Sequence, residues 1–127
     1  MLFAALGLAV LLLAFGIHNW STSAKARQLR NPFPPTPEAL VDGRQVYTNH
    51  CRSCHGPYGD GKGEKAAELS VAPGDLTDAS KMGRLTDGEL YWQTTHGRRP
   101  MPSFARKLTD EQRWQAVDYI RTFARKR

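Results

Sequence analysis

The chain has 127 residues with a formal net charge of +6, and only two cysteines. That length allows one small domain once atypical ends are set aside, and the two cysteines leave a cysteine-rich zinc site without enough ligands. The basic residues are scattered rather than laid along one helix and no nucleic-acid-binding motif accompanies them, which argues against nucleic acid and leaves an acidic protein partner or an anionic lipid surface.

Leu2 through Ile17 is an apolar run, ended by His18, Asn19 and Trp20. At about 1.5 Å per residue, residues 2–20 would span roughly 28 Å, close to the hydrocarbon thickness of a bilayer. Trp20 suits the membrane interface. A secretory signal cut near Ser23-Ala24 has the same general shape, but the length of the run favours a retained transmembrane anchor over 1–20. Residues 21–37 read as a linker, first basic and then proline-rich (Asn31-Pro32-Phe33-Pro34-Pro35-Thr36-Pro37). Closely spaced prolines favour an extended conformation, with a reach of at most roughly 50 Å. Such a spacer is expected to hold the domain off the membrane or to run along a partner. Lys25, Arg27 and Arg30 would, by the positive-inside bias, keep this flank in the cytoplasm.

The folded domain is expected over 38–127. Thr36-Pro37-Glu38 reads as a helix start, with a capping hydroxyl, proline at the first helical position and an acid in the first turn. Leu40, Gly43 and Tyr47 share a face, and a glycine there is explained by the close crossing of a second helix. The helix runs toward Cys51-Arg52-Ser53-Cys54-His55-Gly56. Two thiols three apart with a histidine directly behind them are the attachment signature of a c-type haem. On a helical turn both sulfurs reach one edge of a porphyrin and the following imidazole turns under the metal. Zinc lacks further cysteines, and a thioredoxin-like pair would follow a strand, of which there is no sign. The family resemblance set out below implies haem attachment on the exported side of the membrane, which outweighs the charge bias of the flank.

Gly56-Pro57-Tyr58-Gly59-Asp60-Gly61-Lys62-Gly63 is too rich in turn formers for a helix, and without a preceding strand or a Gly-Lys-Ser/Thr it is not a phosphate loop. A short helix is predicted within 64–70, and irregular chain over 71–76 that can wrap a cofactor. Thr86-Asp87-Gly88-Glu89 is a capping box opening a helix to His96 that stops at Gly97, with Leu90, Tyr91 and Thr94 on one face. A second box, Thr109-Asp110-Glu111-Gln112, opens the last helix, where Trp114, Val117, Ile120 and Ala124 recur at helical spacing beside Tyr119 and Phe123. Its apolar face needs the Gly43/Tyr47 face as partner. No strand pattern competes, so the fold class is all-α.

An iron bound by His55 has one axial position left, for which Met82, His96, Met101 and His50 are candidates. His50 precedes the motif on the same side as His55. Met82 lies in Lys81-Met82-Gly83-Arg84, with nothing rigid around it. Met101 lies in Arg98-Arg99-Pro100-Met101-Pro102-Ser103-Phe104, where flanking prolines stiffen the loop, and it is the favoured ligand.

Gly43-x-x-Val46-Tyr47, Cys51-x-x-Cys54-His55-Gly56, Met101-Pro102-x-Phe104 and the Trp114…Tyr119-Ile120 helix together resemble a class I cytochrome c over nearly all of 38–127. The resemblance implies a small all-α fold around one covalent haem c, with first and last helices crossing beside it. It assigns thioethers to Cys51 and Cys54, the proximal ligand to His55 and the distal ligand to Met101. The Gly-Asp-Gly-x-Gly loop, the Leu85–Tyr91 segment and the Arg98–Phe104 loop are similar to the monohaem cytochrome subunit of alternative complex III, a quinol-oxidising respiratory complex. This implies an electron-transfer subunit rather than an enzyme, held in the inner membrane with its haem domain on the periplasmic or outer face. Integral membrane subunits and redox proteins would be its partners. The alternatives are a free membrane-tethered carrier, a terminal oxidase cytochrome subunit, or a haem enzyme or gas sensor with an open sixth site. Arg52, Arg98 and Arg99 would lie near the haem edge, where an acidic partner could dock.

Overall fold

The structure is a computed structural model that describes residues 20–124. The expected anchor therefore lies outside the described residues except for Trp20, and no helix among the described residues is long and apolar enough to cross a membrane. Six α-helices follow one another: α1 (Ala24–Gln28), α2 (Pro37–His50), α3 (Arg52–His55), α4 (Ala79–Arg84), α5 (Asp87–His96) and α6 (Asp110–Ala124), with one 3-10 turn at Ala66–Glu68. Among the described residues the nearest thing to a strand is an isolated bridge between Arg98 and Met101. The chain is mostly helical, as its periodicity implies.

The centre of the fold is the crossing of α2 and α6. α2 begins where the Thr36 hydroxyl accepts from the Ala39 N–H at 3.1 Å, with Pro37 in its first turn. Its buried residues are Ala39, Gly43, Val46 and Tyr47, a spacing that puts them on one stripe. α6 opens with a reciprocal cap, the Gln112 N–H donating to the Thr109 hydroxyl at 3.1 Å and the Thr109 N–H to the Gln112 side chain at 2.9 Å. It buries Trp114, Ala116, Val117, Ile120 and Phe123. A side chain at Gly43 would lie 2.7 Å from the Gln115 carbonyl carbon and 3.2 Å from the Tyr119 Cβ, so the two backbones touch there and only glycine leaves room. Beside this contact Tyr47 packs against the rings of Tyr119 and Phe123, with centroids 5.4 and 5.1 Å away.

α5 carries the predicted capping box: the Glu89 N–H donates to the Thr86 hydroxyl and the Thr86 N–H to the Glu89 carboxylate, at 3.2 and 2.8 Å. Tyr91 stacks on Trp114 of α6, with centroids 4.2 Å apart and rings 9° from parallel. One buried cluster joins Tyr47, Met82, Leu90, Trp114, Val117, Ile120 and Phe123; a second joins Val46, Phe104, Leu108 and Ala116, with Met101 packed on it.

Two segments differ from the reading of the sequence. The surroundings of Met82 are rigid: it belongs to α4, whose N-terminus is capped by Asp78 accepting from the Lys81 N–H. Arg121 of α6 closes the other end, donating to the carbonyls of Met82 and Leu85 at 2.7 and 2.6 Å while pairing with Asp87 at 2.6 Å. A six-residue helix is too short to display a period and depends on such distant partners. Met82 is taken up by the core.

The second difference concerns residues 21–37. The polar half of this linker does not extend away from the domain but lies along α5. Ser23 caps α1, Ala26 is buried, and Leu29 and Phe33 pack on the main cluster. Arg27 pairs with Glu89 at 3.1 Å and the Thr22 hydroxyl donates to the same carboxylate at 2.7 Å. Five helical residues without an apolar stripe give no sequence signal, because this segment gains its stability from the surface of α5.

Candidate haem site

α3 is the Cys-x-x-Cys-His motif itself, entered directly from α2. Cys51 is the C-cap of α2, its N–H donating to the Tyr47 carbonyl at 2.8 Å, and it is also the residue from which α3 starts. The Tyr47 hydroxyl spans the motif and donates to the Gly56 carbonyl at 2.6 Å. Burial chiefly, with the thiol of Cys51 and the side chains of Tyr119 and Asp60 adding to it, pushes the Tyr47 phenol well above its usual range, so it stays a proton donor.

The glycine-rich loop folds back on α3. The N–H groups of Gly61, Gly63 and Lys65 donate to the carbonyls of His55, Cys54 and Ser53 at 2.8, 3.0 and 2.9 Å. These satisfy the carbonyls that a one-turn helix leaves open. Gly56, Gly59 and Gly61 all have φ between +74° and +86°, the region that favours glycine, which is why this stretch is built from it.

Cys51 and Cys54 are half-buried and unbridged. Burial, with Cys54 nearby, pushes the Cys51 thiol up to about 12, the reverse of the lowered thiol that a redox-active Cys-x-x-Cys pair needs. The His55 ring is held by its Nδ1, 3.1 Å from the Gly74 carbonyl. A carbonyl only accepts, so Nδ1 carries the proton and Nε2 keeps a free lone pair. Burial lowers the His55 pKa, partly offset by that carbonyl, and the ring stays neutral as a metal ligand requires.

Met101 lies at the edge of an open cleft of about 880 Å³, lined by Ser70 and the run from His96 to Ser103. Its loop is braced within itself and tied to α5 at its C-terminal end. Arg98 and Met101 exchange backbone hydrogen bonds at 3.0 and 2.9 Å, the Phe104 N–H donates to the Thr94 carbonyl at 3.2 Å and the Ser103 hydroxyl to the Thr95 carbonyl at 2.7 Å. Behind it the buried guanidinium of Arg113 donates to the carbonyls of Phe104, Ala105 and Leu108 at 3.3, 3.2 and 2.6 Å, and to Asp110 and the Tyr91 hydroxyl. Arg113 had no sequence signal as a loop anchor, since on the helix pattern alone it is one more charged residue.

Of the other candidates, Met82 and His50 lie elsewhere, while His96 shares the cleft with Met101. His96 lines the cleft, with Nδ1 held by the Trp92 carbonyl at 2.9 Å and its ring stacked on Trp92. His50, the last residue of α2, packs edge-on against Phe104 and lines a polar groove. Tyr91, on the predicted apolar face of α5, stacks on Trp114 with the Arg113 guanidinium over its ring.

The family model described as cytochrome c oxidase, cbb3-type, subunit III matches residues 38–120. The chain belongs to this family of c-type cytochromes. Cytochrome c6 of Synechococcus elongatus is 29% identical over 64% of this chain and 86% of its own length. Cytochrome c6 of Thermosynechococcus vestitus is 30% identical over 64% and 67%. Among solved structures, a chain of the Kuenenia stuttgartiensis reducing HAO-like protein complex superposes with a TM-score of 0.64 at 30% identity, covering 73% of this chain; this chain spans only 47% of that one. The KustC0563 c-type cytochrome gives a TM-score of 0.57 at 29% identity, over 65% of this chain and 96% of its own. The cytochrome thus binds one covalent haem c at the Cys51/Cys54 motif and serves electron transfer. The motif residues fit that group, with unbridged thiols on one turn and an imidazole with a free Nε2, while the Met101 thioether is on the wall of a cleft whose lining does not include Cys51, Cys54 or His55.

Proposed function

We propose that this cytochrome is a membrane-anchored one-electron carrier whose haem iron is bound by His55 Nε2 and the Met101 thioether, and that it works as a subunit of a quinol-oxidising membrane complex of the alternative complex III type. The observation that carries the ligand assignment is the tethering of the Met101 loop: a cleft-lining thioether on a loop bonded to Thr94, Thr95 and, through Phe104, to Arg113.

When bound, the haem supplies the one-electron couple; the chain supplies its setting. The Gly74 carbonyl orients the imidazole and raises its basicity. With the haem held, the tethers at Ser103 and Phe104 would limit movement of the Met101 loop between the two charge states of the iron, and a neutral thioether ligand would favour the reduced iron. With Met101 bound to it the iron would be closed to substrate, in keeping with a carrier rather than a haem enzyme or gas sensor. The apolar run ending at Trp20 supports the anchor, with the haem domain on the periplasmic or outer face of the inner membrane, where haem is attached.

Met101→Ala tests the ligand. The parent should show the methionine-to-ferric-iron band near the red edge and bind carbon monoxide slowly when ferrous; the variant should lose the band and bind it fast. Fast binding by the parent would overturn the assignment. A free tethered carrier is the second reading, supported by the likeness to cytochrome c6. Co-purification of integral membrane subunits in mild detergent separates the two.

A further inference from the structure

The polar half of the linker runs antiparallel along α5. At the helix N-terminus Arg27 and Thr22 hold Glu89, the Thr86 hydroxyl donates to the Arg27 carbonyl at 3.0 Å, and Arg27 donates to the Arg84 carbonyl at 3.4 Å. A side chain on Gly88 would lie 2.6 Å from the Leu29 carbonyl oxygen and 2.8 Å from its Cβ, so backbone rests directly on backbone. Further on, Asn31 reaches Asp118 of α6 at 3.3 Å. At the other end the Trp20 carbonyl accepts from Gln93, and the Trp20 ring lies under the Arg98 guanidinium, 4.9 Å from its centroid. Arg98 lines the Met101 cleft. Trp20, the first described residue, therefore sits at the rim of the Met101 cleft, and residues 20–31 form a fixed strap on the domain.

We propose that residues 20–31 clamp the domain so that its cleft face, with Arg98 and Arg99, lies against anionic lipid headgroups. This rests on the anchor reading above. Two observations commit the face to a lipid surface: Trp20, an interfacial residue type that follows the apolar run in sequence, packs at this rim, and the exposed charges beside it, Arg98 and Arg99, are basic. Held this way, the haem keeps a constant height above the bilayer. That suits exchange with a membrane-embedded redox centre better than capture of a carrier diffusing in the aqueous phase.

The test uses the full haem-loaded chain in phosphatidylcholine nanodiscs with or without phosphatidylglycerol, doped with a headgroup-nitroxide lipid. A second nitroxide is placed at exposed Ser21 through Ser21→Cys in a separate sample. The parent should give a narrow distance distribution from position 21 to the ferric iron, and relaxation enhancement of the headgroup spins by that iron, stronger in the anionic discs. Gly88→Ala improves the intrinsic helicity of α5 while pushing the strap off, so it should broaden the distance and lose the enhancement. Arg27→Ala, at an exposed side chain, is the companion variant should Gly88→Ala not fold. A narrow distance without enhancement would turn the face toward a protein subunit and overturn the lipid proposal, as would enhancement untouched by both variants. A chain that does not migrate with the discs overturns the anchor reading and this proposal together, while the distance measurement still reports on the strap.

Discussion

Gly43→Ala should destabilise the cytochrome even though alanine is the better helix former. The added methyl would lie 2.7 Å from the Gln115 carbonyl carbon, where ordinary contact begins at 3.4 Å, and closer still to the oxygen. Neither neighbour is the free end of a side chain, so α2 and α6 must part by about 1 Å, a gap that forfeits a quarter to a half of each dispersion contact it opens. The contacts at stake are those of Tyr47 with Tyr119 and Phe123. Overpacking of this kind costs about 3 kcal/mol, and the gain in helix propensity returns about 1 kcal/mol. A net loss of about 2 kcal/mol corresponds to a Tm lower by about 10 °C in a domain of this size. Thermal and guanidinium unfolding of the holoprotein, followed by Soret circular dichroism, would measure it. An unchanged or higher Tm for Gly43→Ala would refute the reasoning, because it would mean that the crossing has slack that the coordinates exclude.

Other outcomes follow from the same contacts. Burial alone would raise the Glu89 carboxyl, but the Thr86 N–H, the Thr22 hydroxyl, Arg27 and the Thr86 hydroxyl outweigh it and hold the group below its ordinary value. Its contribution is therefore complete above the unfolded carboxyl range and is lost as pH falls through the lower folded value, so a stability profile below pH about 4.5 should flatten in Glu89→Gln. Arg113→Met should cost about 2–3 kcal/mol, since the carbonyls of Phe104, Ala105 and Leu108 lose buried donors, and the methionine-to-iron band should vanish at a lower temperature than in the parent. Asp110→Asn should change urea stability by less than about 1 kcal/mol, because that carboxylate is 72% exposed and screened by water. With Cys51→Ser and Cys54→Ser together, mass analysis should show a polypeptide without covalently added porphyrin; an attached macrocycle would contradict the thioether assignment.

Local chemistry determined a good deal of this protein before any coordinates. The Cys51–His55 motif, both capping boxes, the Thr36-Pro37 start and the stop at Gly97 are decided within a few residues by bond geometry and by which backbone groups need partners, so they are legible in the chain alone. The stripe on α6 and the glycine at position 43 even announced the helix crossing. Tertiary structure decided what depends on residues far apart in sequence. α4 exists because Arg121, 39 positions away from Met82, closes its end. The strap exists because Glu89 and Gly88 offer Thr22, Arg27 and Ala26 a surface, and nothing in the segment's own composition demands it. Arg113 reads as an ordinary helix charge until the fold brings the carbonyls of Phe104, Ala105 and Leu108 around it. Short segments cannot stabilise themselves in water, so their shape is set by the surface they meet, and that surface appears only after the longer helices have packed.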